Sequence, residues 1–146
     1  MIASLHRSRT PFLALSIGCV LASAQSVPFE LRAHPDSPVA LATNNSPPWR
    51  AGADRRIFVA IANQSAKAIA AVTFEQTISV GEKTRIVTLE RSSIVMAPRQ
   101  KRIVSVSVAD ILERMKSAAT TGEKVADPAL SVVAVEFLDG TLWSAP

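Results

Sequence analysis

The sequence predicts a mainly β protein, an antiparallel sandwich of about seven short strands with one short crossover helix. Three observations carry this prediction. Apolar and polar residues alternate with a period of two in several segments. Turn residues separate these segments every eight to twelve residues, as in β-sandwiches. One segment between two predicted strands has instead the spacing of an amphipathic helix. A small open β-barrel is the alternative architecture.

The first 24 residues have the pattern of a secretory signal peptide. Arg7 and Arg9 form a basic segment without an acid, and an apolar run follows over residues 11–22. The run ends at Ala22-Ser23-Ala24, which matches the Ala-x-Ala cleavage pattern. We expect cleavage between Ala24 and Gln25, which makes the mature chain secreted or periplasmic.

Two other fates of this N-terminal segment stay open. An uncleaved anchor is one, although the apolar run is shorter than the roughly 20 residues of a spanning helix. A lipoprotein attached through Cys19 is the other, although Leu15 lies one position too far from the cysteine to match a lipobox.

Composition places the mature chain among ordinary globular domains. Hydrophobic residues make up 48% of the sequence and charged residues 19%, which is not a disordered composition. Without residues 1–24, fourteen Lys and Arg face twelve Asp and Glu, so the net charge falls from +4 to about +2. Such a charge gives weak support for nucleic acid or an anionic membrane. We therefore expect no nucleic-acid partner and no transmembrane segment in the mature chain.

Residues 25–55 are expected to form a Pro-rich N-terminal arm. No long helix fits between its prolines. Two short apolar pieces, residues 29–33 and 39–42, are predicted as edge strands, where a proline at the start of a strand is tolerated. The remaining residues, 56–146, are predicted to form the sandwich domain.

The sandwich strands follow from alternation and turn residues. They are predicted over residues 57–62, 68–78, 84–89, 103–108 and 130–138, with residues 141–143 as a short last strand. Asn63-Gln64-Ser65 and Asp139-Gly140 supply turns, the second being a strong hairpin signal. The clearest alternation is at residues 103–108, where valines alternate with serines. This pattern predicts one buried face and one solvent-exposed face.

The helix is predicted between the strands at residues 103–108 and 130–138, from residue 109 or 110 to residue 119. Asp110 is expected to cap its N-terminus with Glu113 completing a capping box, and Gly122 to end it. Ile111, Leu112 and Met115 form its apolar stripe. A helix in this connection would carry the chain from one sheet to the other.

Three segments together resemble the exported immunoglobulin-like or fibronectin-like domains of bacterial envelope proteins. They are the strand at residues 57–62, the turn at residues 63–69 and the closing Phe137-Leu138-Asp139-Gly140-Thr141. In such domains an Asn-x-Ser-x-Lys-x-Ile stretch forms the turn between the second and third strands, and Phe-x-Asp-Gly the final hairpin. The resemblance covers residues 55–146, without the paired cysteines of antibody domains. It implies a β-sandwich and an exported location, and no particular activity.

Residues with catalytic or metal-binding chemistry are sparse. His34 is the single histidine of the mature chain, and its Pro-rich surroundings predict an exposed loop residue instead of a catalytic base. The single cysteine leaves with the signal peptide, so we expect no disulfide, no thiol chemistry, no metal site and no cofactor. Glu75 and Glu136 fall on predicted strands and could form a glycosidase pair. We expect both to face solvent instead.

Two kinds of residue are candidates for binding a partner. One group of cations, Arg99, Lys101 and Arg102, precedes a predicted strand, and a second group, Arg55-Arg56, precedes another. Such cations either protect strand edges from pairing with other chains or bind an anionic partner. Trp49 and Trp143 either form a binding surface or cover the ends of a core that is short of aromatic residues.

No sequence feature indicates an enzyme, so the first hypothesis is an exported, non-enzymatic interaction or structural module of the cell envelope. Its partner would be an envelope protein or polysaccharide. The alternative is a carbohydrate-binding or carbohydrate-active accessory domain that uses Glu75 or Glu136. A third hypothesis is self-association through an exposed strand.

Overall fold

The structure is a computed structural model that describes residues 28–42, 49–50 and 55–146. The predicted signal peptide, its cleavage site after Ala24 and the alternative lipid attachment at Cys19 lie outside the described residues. In the described part the chain forms nine strands and one helix. These are β1 Pro28–Arg32, β2 Val39–Ala42, β3 Trp49–Arg50, β4 Arg56–Asn63, β5 Ile69–Val80, β6 Lys83–Met96, β7 Lys101–Ser107, α1 Ala109–Thr121, β8 Val125–Phe137 and β9 Leu142–Ser144.

The strands form two sheets. The larger sheet has the order β3-β1-β8-β5-β6, with β9 paired to β8 further along the strand edge that β1 also uses. The smaller sheet has the order β2-β4-β7. Helix α1 connects β7 in the smaller sheet to β8 in the larger one, as the predicted crossover requires. The sheets do not close into a barrel in the described part.

The prediction of a mainly β fold is confirmed, but the prediction of purely antiparallel sheets is wrong. Strand β1 runs parallel to β8, with Glu30 opposite Ala129 and Arg32 opposite Ser131. All other strand pairs are antiparallel. Alternation identifies the buried face of a strand but carries no information on the direction of its neighbour. The larger sheet is therefore mixed.

The core lies between the two sheets and consists almost entirely of aliphatic residues. In β4, Ile57, Val59 and Ile61 are at most 1% exposed, while β5 contributes Val72 and Phe74 from the other sheet. Burying one such side chain stabilises the fold by about 1.5–3 kcal/mol. These facing rows join the two sheets.

Residues 28–42 contribute to this core as well. Phe29 of β1 and Val39 of β2 are each 1% exposed and belong to the same buried cluster. Strand β2 lies at the edge of the smaller sheet as predicted. Strand β1 instead lies between β3 and β8 in the larger sheet.

Strand β6 continues well beyond the predicted end at residue 89, to Met96. Its second half contains Arg91-Ser92-Ser93, which hides the apolar alternation. Because β6 is the last strand of its sheet and its exposed positions alternate with half-buried ones, polar residues are tolerated along it.

Helix α1 confirms the predicted apolar stripe and C-terminus. Ile111 is buried, Leu112 and Met115 pack against the core, and Gly122 ends the helix with a φ of 75°. The predicted N-cap is wrong, since Val108 occupies that position and no side chain caps the helix. No helix in the described part is long and apolar enough to cross a membrane.

The side chain of Asn63 connects the two sheets at one end of the sandwich. Its Nδ2 donates hydrogen bonds to the carbonyl oxygens of Lys67 at 2.8 Å and Ala97 at 3.1 Å, and a longer one to Met96 at 3.5 Å. Its Oδ1 accepts from the backbone N–H of Ser65 at 3.0 Å and from the Ser65 hydroxyl at 2.7 Å. The residue is 1% exposed, so these bonds replace water entirely.

Replacing Asn63 by Asp should destabilise the fold by about 3 kcal/mol, because a carboxylate of the same shape cannot donate to the buried carbonyls. Chemical denaturation of the Asn63→Asp protein measures the loss. The neighbouring Gln64→Glu variant is the matched control, since Gln64 is exposed, and it should unfold like the wild type. Equal stability of the two variants would contradict the structural role given to Asn63.

A second polar contact joins the turn after Asn63 to the β8–β9 hairpin. Lys67 Nζ lies 2.8 Å from Asp139 Oδ2 and 5.5 Å from the centre of the Phe137 ring. Asp139 Oδ1 accepts from the N–H of Thr141 at 2.9 Å and from its hydroxyl at 2.5 Å. These hydrogen bonds, with that from Lys67 the largest, hold the pKa of the Asp139 carboxyl well below its usual range.

Stability should therefore fall in acid as Asp139 is protonated. A carboxyl whose folded-state pKa is lowered stabilises the fold fully above about pH 3.9, the ordinary Asp value, and this stabilisation is lost as the pH falls toward the folded-state pKa. Thermal unfolding of the wild type and of the Asp139→Asn variant between pH 2 and pH 6 measures the effect. The variant should lose less stability than the wild type over this range, and parallel curves would contradict the assignment.

Candidate functional site

The outward side of the smaller sheet is nearly flat. Residues that face away from the core on β4 and β7 are mostly small, including Ala60, Ala62 and Ser105. Two large apolar side chains stand among them: Phe58 is 54% exposed and Ile103 is 65% exposed. We call this surface, defined by these five residues together with Arg56 and Lys101, the outer β4–β7 face.

Phe58 and Ile103 are neighbours on this face. Phe58 lies opposite Ser105, and Ile103 lies opposite Ala60, so the two side chains occupy diagonal positions. Diagonal side chains on adjacent strands are within reach of each other when one is aromatic. They form one apolar cluster that the core does not use.

The charges around this cluster have one sign. Lys101 lies opposite Ala62 at one end of the face, and Arg56 lies opposite Ser107 at the other. The guanidinium of Arg56 is held over the face, because its Nε donates to the hydroxyl of Ser105 at 2.5 Å and a terminal nitrogen donates to the Ser105 carbonyl at 3.1 Å. The strands β2, β4 and β7 contain no acidic residue.

Two further cations lie near the Lys101 end: Arg99 in the turn before β7, and Arg102, which faces the opposite side of the sheet because its partner Ile61 is buried. Both are exposed, and neither they nor Lys101 form an ion pair with a described residue. Arg55, at the opposite end, is neutralised by Glu113 at 2.6 Å. Of the three cations named from the sequence, Lys101 lies on the outer β4–β7 face, Arg99 lies in the adjoining turn, and Arg102 faces the other side of the sheet.

Arg99 occupies a backbone conformation that an arginine rarely adopts. It follows Pro98 in the turn between β6 and β7 and has a φ of 66°. The turn is closed by a bond from the Gln100 N–H to the Ala97 carbonyl at 3.1 Å. Proline at the second turn position and a left-handed third residue is the pattern of a type II turn, in which glycine is favoured third. An arginine at this position therefore strains the backbone.

Replacing Arg99 by glycine should therefore stabilise the fold by up to about 1 kcal/mol, because glycine adopts positive φ without strain. The matched control is Arg102→Gly in strand β7, which should destabilise by about 0.5–1 kcal/mol. Denaturation midpoints of the two variants measure the difference. A loss of stability in the Arg99→Gly protein would contradict the strain argument.

The two tryptophans lie in the other sheet. Trp49 is in β3, where its backbone pairs with Phe29. Trp143 is in β9, half-buried, and packs against the core. Its ring contacts that of His34 edge-on, with centroids 5.9 Å apart. His34 is therefore half-buried against an aromatic ring, which differs from the exposed loop residue expected from the sequence.

The two candidate catalytic carboxylates do not form a pair. Glu136 lies opposite Ala71, four residues along β5 from Glu75, which corresponds to about 13 Å. Glycosidase carboxylates are about 5–9.5 Å apart. Glu136 also binds Arg91 through two bonds of 2.6 and 2.7 Å across strand β5. Hydrogen bonding from Arg91 is the main reason that the pKa of Glu136 is lowered, which does not suit a general acid.

Glu75 instead lines an open concavity of about 450 Å³ on the outer side of the larger sheet. Thr77, Thr84 and Ser131 contribute hydroxyl groups to its wall, and His34 borders it. Arg32 is also at its wall, but its guanidinium binds Glu30 at 2.8 Å. This concavity offers hydrogen-bonding groups together with apolar surface from residues such as Pro35, Val133 and Pro146.

Phe58 and Ile103 are the site residues that sequence reasoning missed. Both were included in predicted strands, at residues 57–62 and 103–108, but neither was named as a candidate site residue. The available signal was the phase of the alternation. Phe58 falls out of phase with Ile57, Val59 and Ile61, so the alternation itself places a large apolar residue on the outward side of β4.

Comparison with family models, curated proteins and solved structures finds no match for this chain. The functional argument therefore rests on the residues themselves.

Proposed function

We propose that the chain is an exported, non-enzymatic interaction module of the cell envelope. In this proposal the outer β4–β7 face docks on a protein partner that presents acidic and apolar side chains together. The observation that carries the proposal is the exposed pair Phe58 and Ile103 on a flat sheet face whose charged residues are all basic. An immunoglobulin-like fold is part of the same proposal.

The shape of this face favours a protein over other anionic partners. Small side chains such as Ala60 and Ser105 allow a second flat surface to approach closely, as when sheets pack face to face. Phe58 and Ile103 lie within strands on a sheet face and not at a protruding loop, which does not suit insertion into a bilayer. One aromatic residue is too few for the stacking that single-stranded nucleic acids require.

The cations would contribute mainly to the rate and specificity of association. Lys101 lies at the rim of the apolar pair, with Arg99 in the adjoining turn. Exposed charges at a rim steer an encounter more than they add affinity. The apolar pair is then the centre that excludes water. The expected binding is therefore weaker at high salt but not abolished by it.

A second candidate function is carbohydrate binding, favoured by the concavity that Glu75 lines. Its hydroxyl groups and its carboxylate are the hydrogen-bonding partners that sugar hydroxyls use, and its volume of about 450 Å³ lies in the range of small-ligand sites. Trp143 packs beside His34 next to this concavity, but the stacking face of its indole is partly used by the core.

Titration with a model acidic peptide tests the first candidate. The probe is a twelve-residue peptide of alternating Glu and Val, with a Lys and Val peptide of equal length as its control. We expect the acidic peptide alone to shift the amide resonances of Phe58, Ile103 and Lys101. The Phe58→Ala and Lys101→Glu variants should each weaken binding about tenfold, since each removes a contact at the centre or rim of the face.

Two further variants are matched controls for this titration. Leu142→Ala truncates an apolar residue that is 64% exposed in the other sheet, and Arg114→Glu reverses an exposed charge on α1. Both should bind the acidic peptide like the wild type. Shifts at Glu75 and Ser131 on addition of cellohexaose, without peptide binding, would support carbohydrate binding instead. Equal binding of both peptides would contradict the proposed face.

A further inference from the structure

Strand β6 presents a long free edge. It has fourteen residues, is the last strand of its sheet, and pairs with a described strand only through β5. A free edge of this length is a template for pairing with another chain unless it is protected. A bulge lies at Val87, which has no partner on β5 between the pairs Ile86–Thr77 and Thr88–Gln76. A second register shift lies near the end of the strand, between the pairs Ser93–Ala71 and Met96–Ile69.

The residues of β6 are arranged symmetrically about this bulge. Ile86 on one side and Leu89 on the other both face outward, at 62% and 58% exposure. Arg85 and Glu90 are the next residues along the strand, one step further from the bulge on each side. Both face the core side of the sheet, because their partners on β5 are the buried Ile78 and Phe74. The two halves of the strand thus have matching faces when the strand is turned by 180° about the bulge.

Turning β6 in this way and placing it beside itself gives an antiparallel pair in which opposite charges meet. Arg85 of one chain lies opposite Glu90 of the other, and the symmetry produces this contact twice. Arg91 lies opposite Thr84, and Lys83 lies opposite Ser92, so no two like charges face each other. Neither Arg85 nor Glu90 has an ion-pair partner among the described residues.

The apolar residues match in the same register. Ile86 of one chain lies opposite Leu89 of the other, and the symmetry produces this contact twice. Each of these two exposed side chains thereby gains an apolar neighbour. The two bulges lie opposite each other at the symmetry axis. Shifting the register by two residues would instead place Leu89 against Leu89 or Ile86 against Ile86, and would separate the bulges.

We propose that β6 pairs with β6 of a second copy of this chain, antiparallel and centred on the bulge between Val87 and Thr88, to form a dimer with one continuous sheet. The contact is isologous, as expected for a two-fold dimer. It uses the strand edge at the far side of the larger sheet and leaves the outer β4–β7 face open. It is therefore independent of the proposed acidic partner.

Charge exchange on the purified full chain tests this dimer. Sedimentation equilibrium of the wild type should show a concentration-dependent monomer–dimer equilibrium. Arg85→Glu and Glu90→Arg should each weaken dimerisation about tenfold or more, because each places like charges in contact twice. The double variant Arg85→Glu with Glu90→Arg restores opposite charges and should dimerise like the wild type.

Matched charge reversals elsewhere control for net charge and folding. Arg114→Glu on α1 and Glu123→Arg after it change exposed residues away from β6, and they should leave the dimer unchanged. Circular dichroism and the unfolding midpoint of every variant show whether it is folded. A wild type that stays monomeric up to about 1 mM would overturn the proposal. So would a double variant that remains monomeric while folded.

Cross-linking identifies the register. In a Cys19→Ser background, mixing the Ile86→Cys protein with the Leu89→Cys protein should give an interchain disulfide under mild oxidation, since facing Cβ atoms at this spacing can be bridged. Either protein alone should give much less. Efficient cross-linking of one variant with itself, and not of the mixture, would overturn the centred register.

Discussion

The buried amide of Asn63 is the contact on which the arrangement of the two sheets depends. Hydrophobic contact between the sheets has no direction and would allow them to slide over each other. Asn63 removes that freedom, because its Nδ2 is fixed on the carbonyls of Lys67 and Ala97 while it belongs to β4. It thereby sets the end of β6 and the start of β7 relative to β4, and so determines which residues of the smaller sheet face outward. At the opposite end of β7, Gln76 of β5 donates to the Ser107 carbonyl at 2.7 Å and forms a second polar link between the sheets.

The two surfaces proposed for binding arise from the same architecture. A sandwich with sheets of unequal size cannot protect every edge and face with its own elements. On the outer face of the smaller sheet, Phe58 and Ile103 are exposed to solvent. In the larger sheet, the last strand, β6, has one edge that pairs with no described strand. Each of these surfaces combines exposed apolar residues with charges that a partner of suitable chemistry would complement.

Sequence reasoning located most of the elements, and its errors have physical causes. Alternation at β4 and β7 and the glycines at residues 122 and 140 are local signals, so those elements were placed within one or two residues. The parallel pairing of β1 with β8 depends on contacts between distant segments, which no local pattern encodes. Arg99, Lys101 and Arg102 were identifiable from their sequence clustering. That Lys101 shares a face with Phe58 while Arg102 does not could not be predicted, because it follows from the register of β4 with β7.

The position of Asn63 also determines a chemical property of the folded chain. Asn63-Gln64-Ser65 has the Asn-x-Ser form that oligosaccharyltransferases recognise. The nitrogen that would carry the glycan is Nδ2, which is occupied by carbonyl acceptors in a residue that is 1% exposed. A glycan cannot be accommodated there, so the folded protein is not a substrate at this site. In a host that glycosylates proteins during export, attachment of a sugar and closure of this turn would be mutually exclusive, and the faster of the two would decide whether the chain folds.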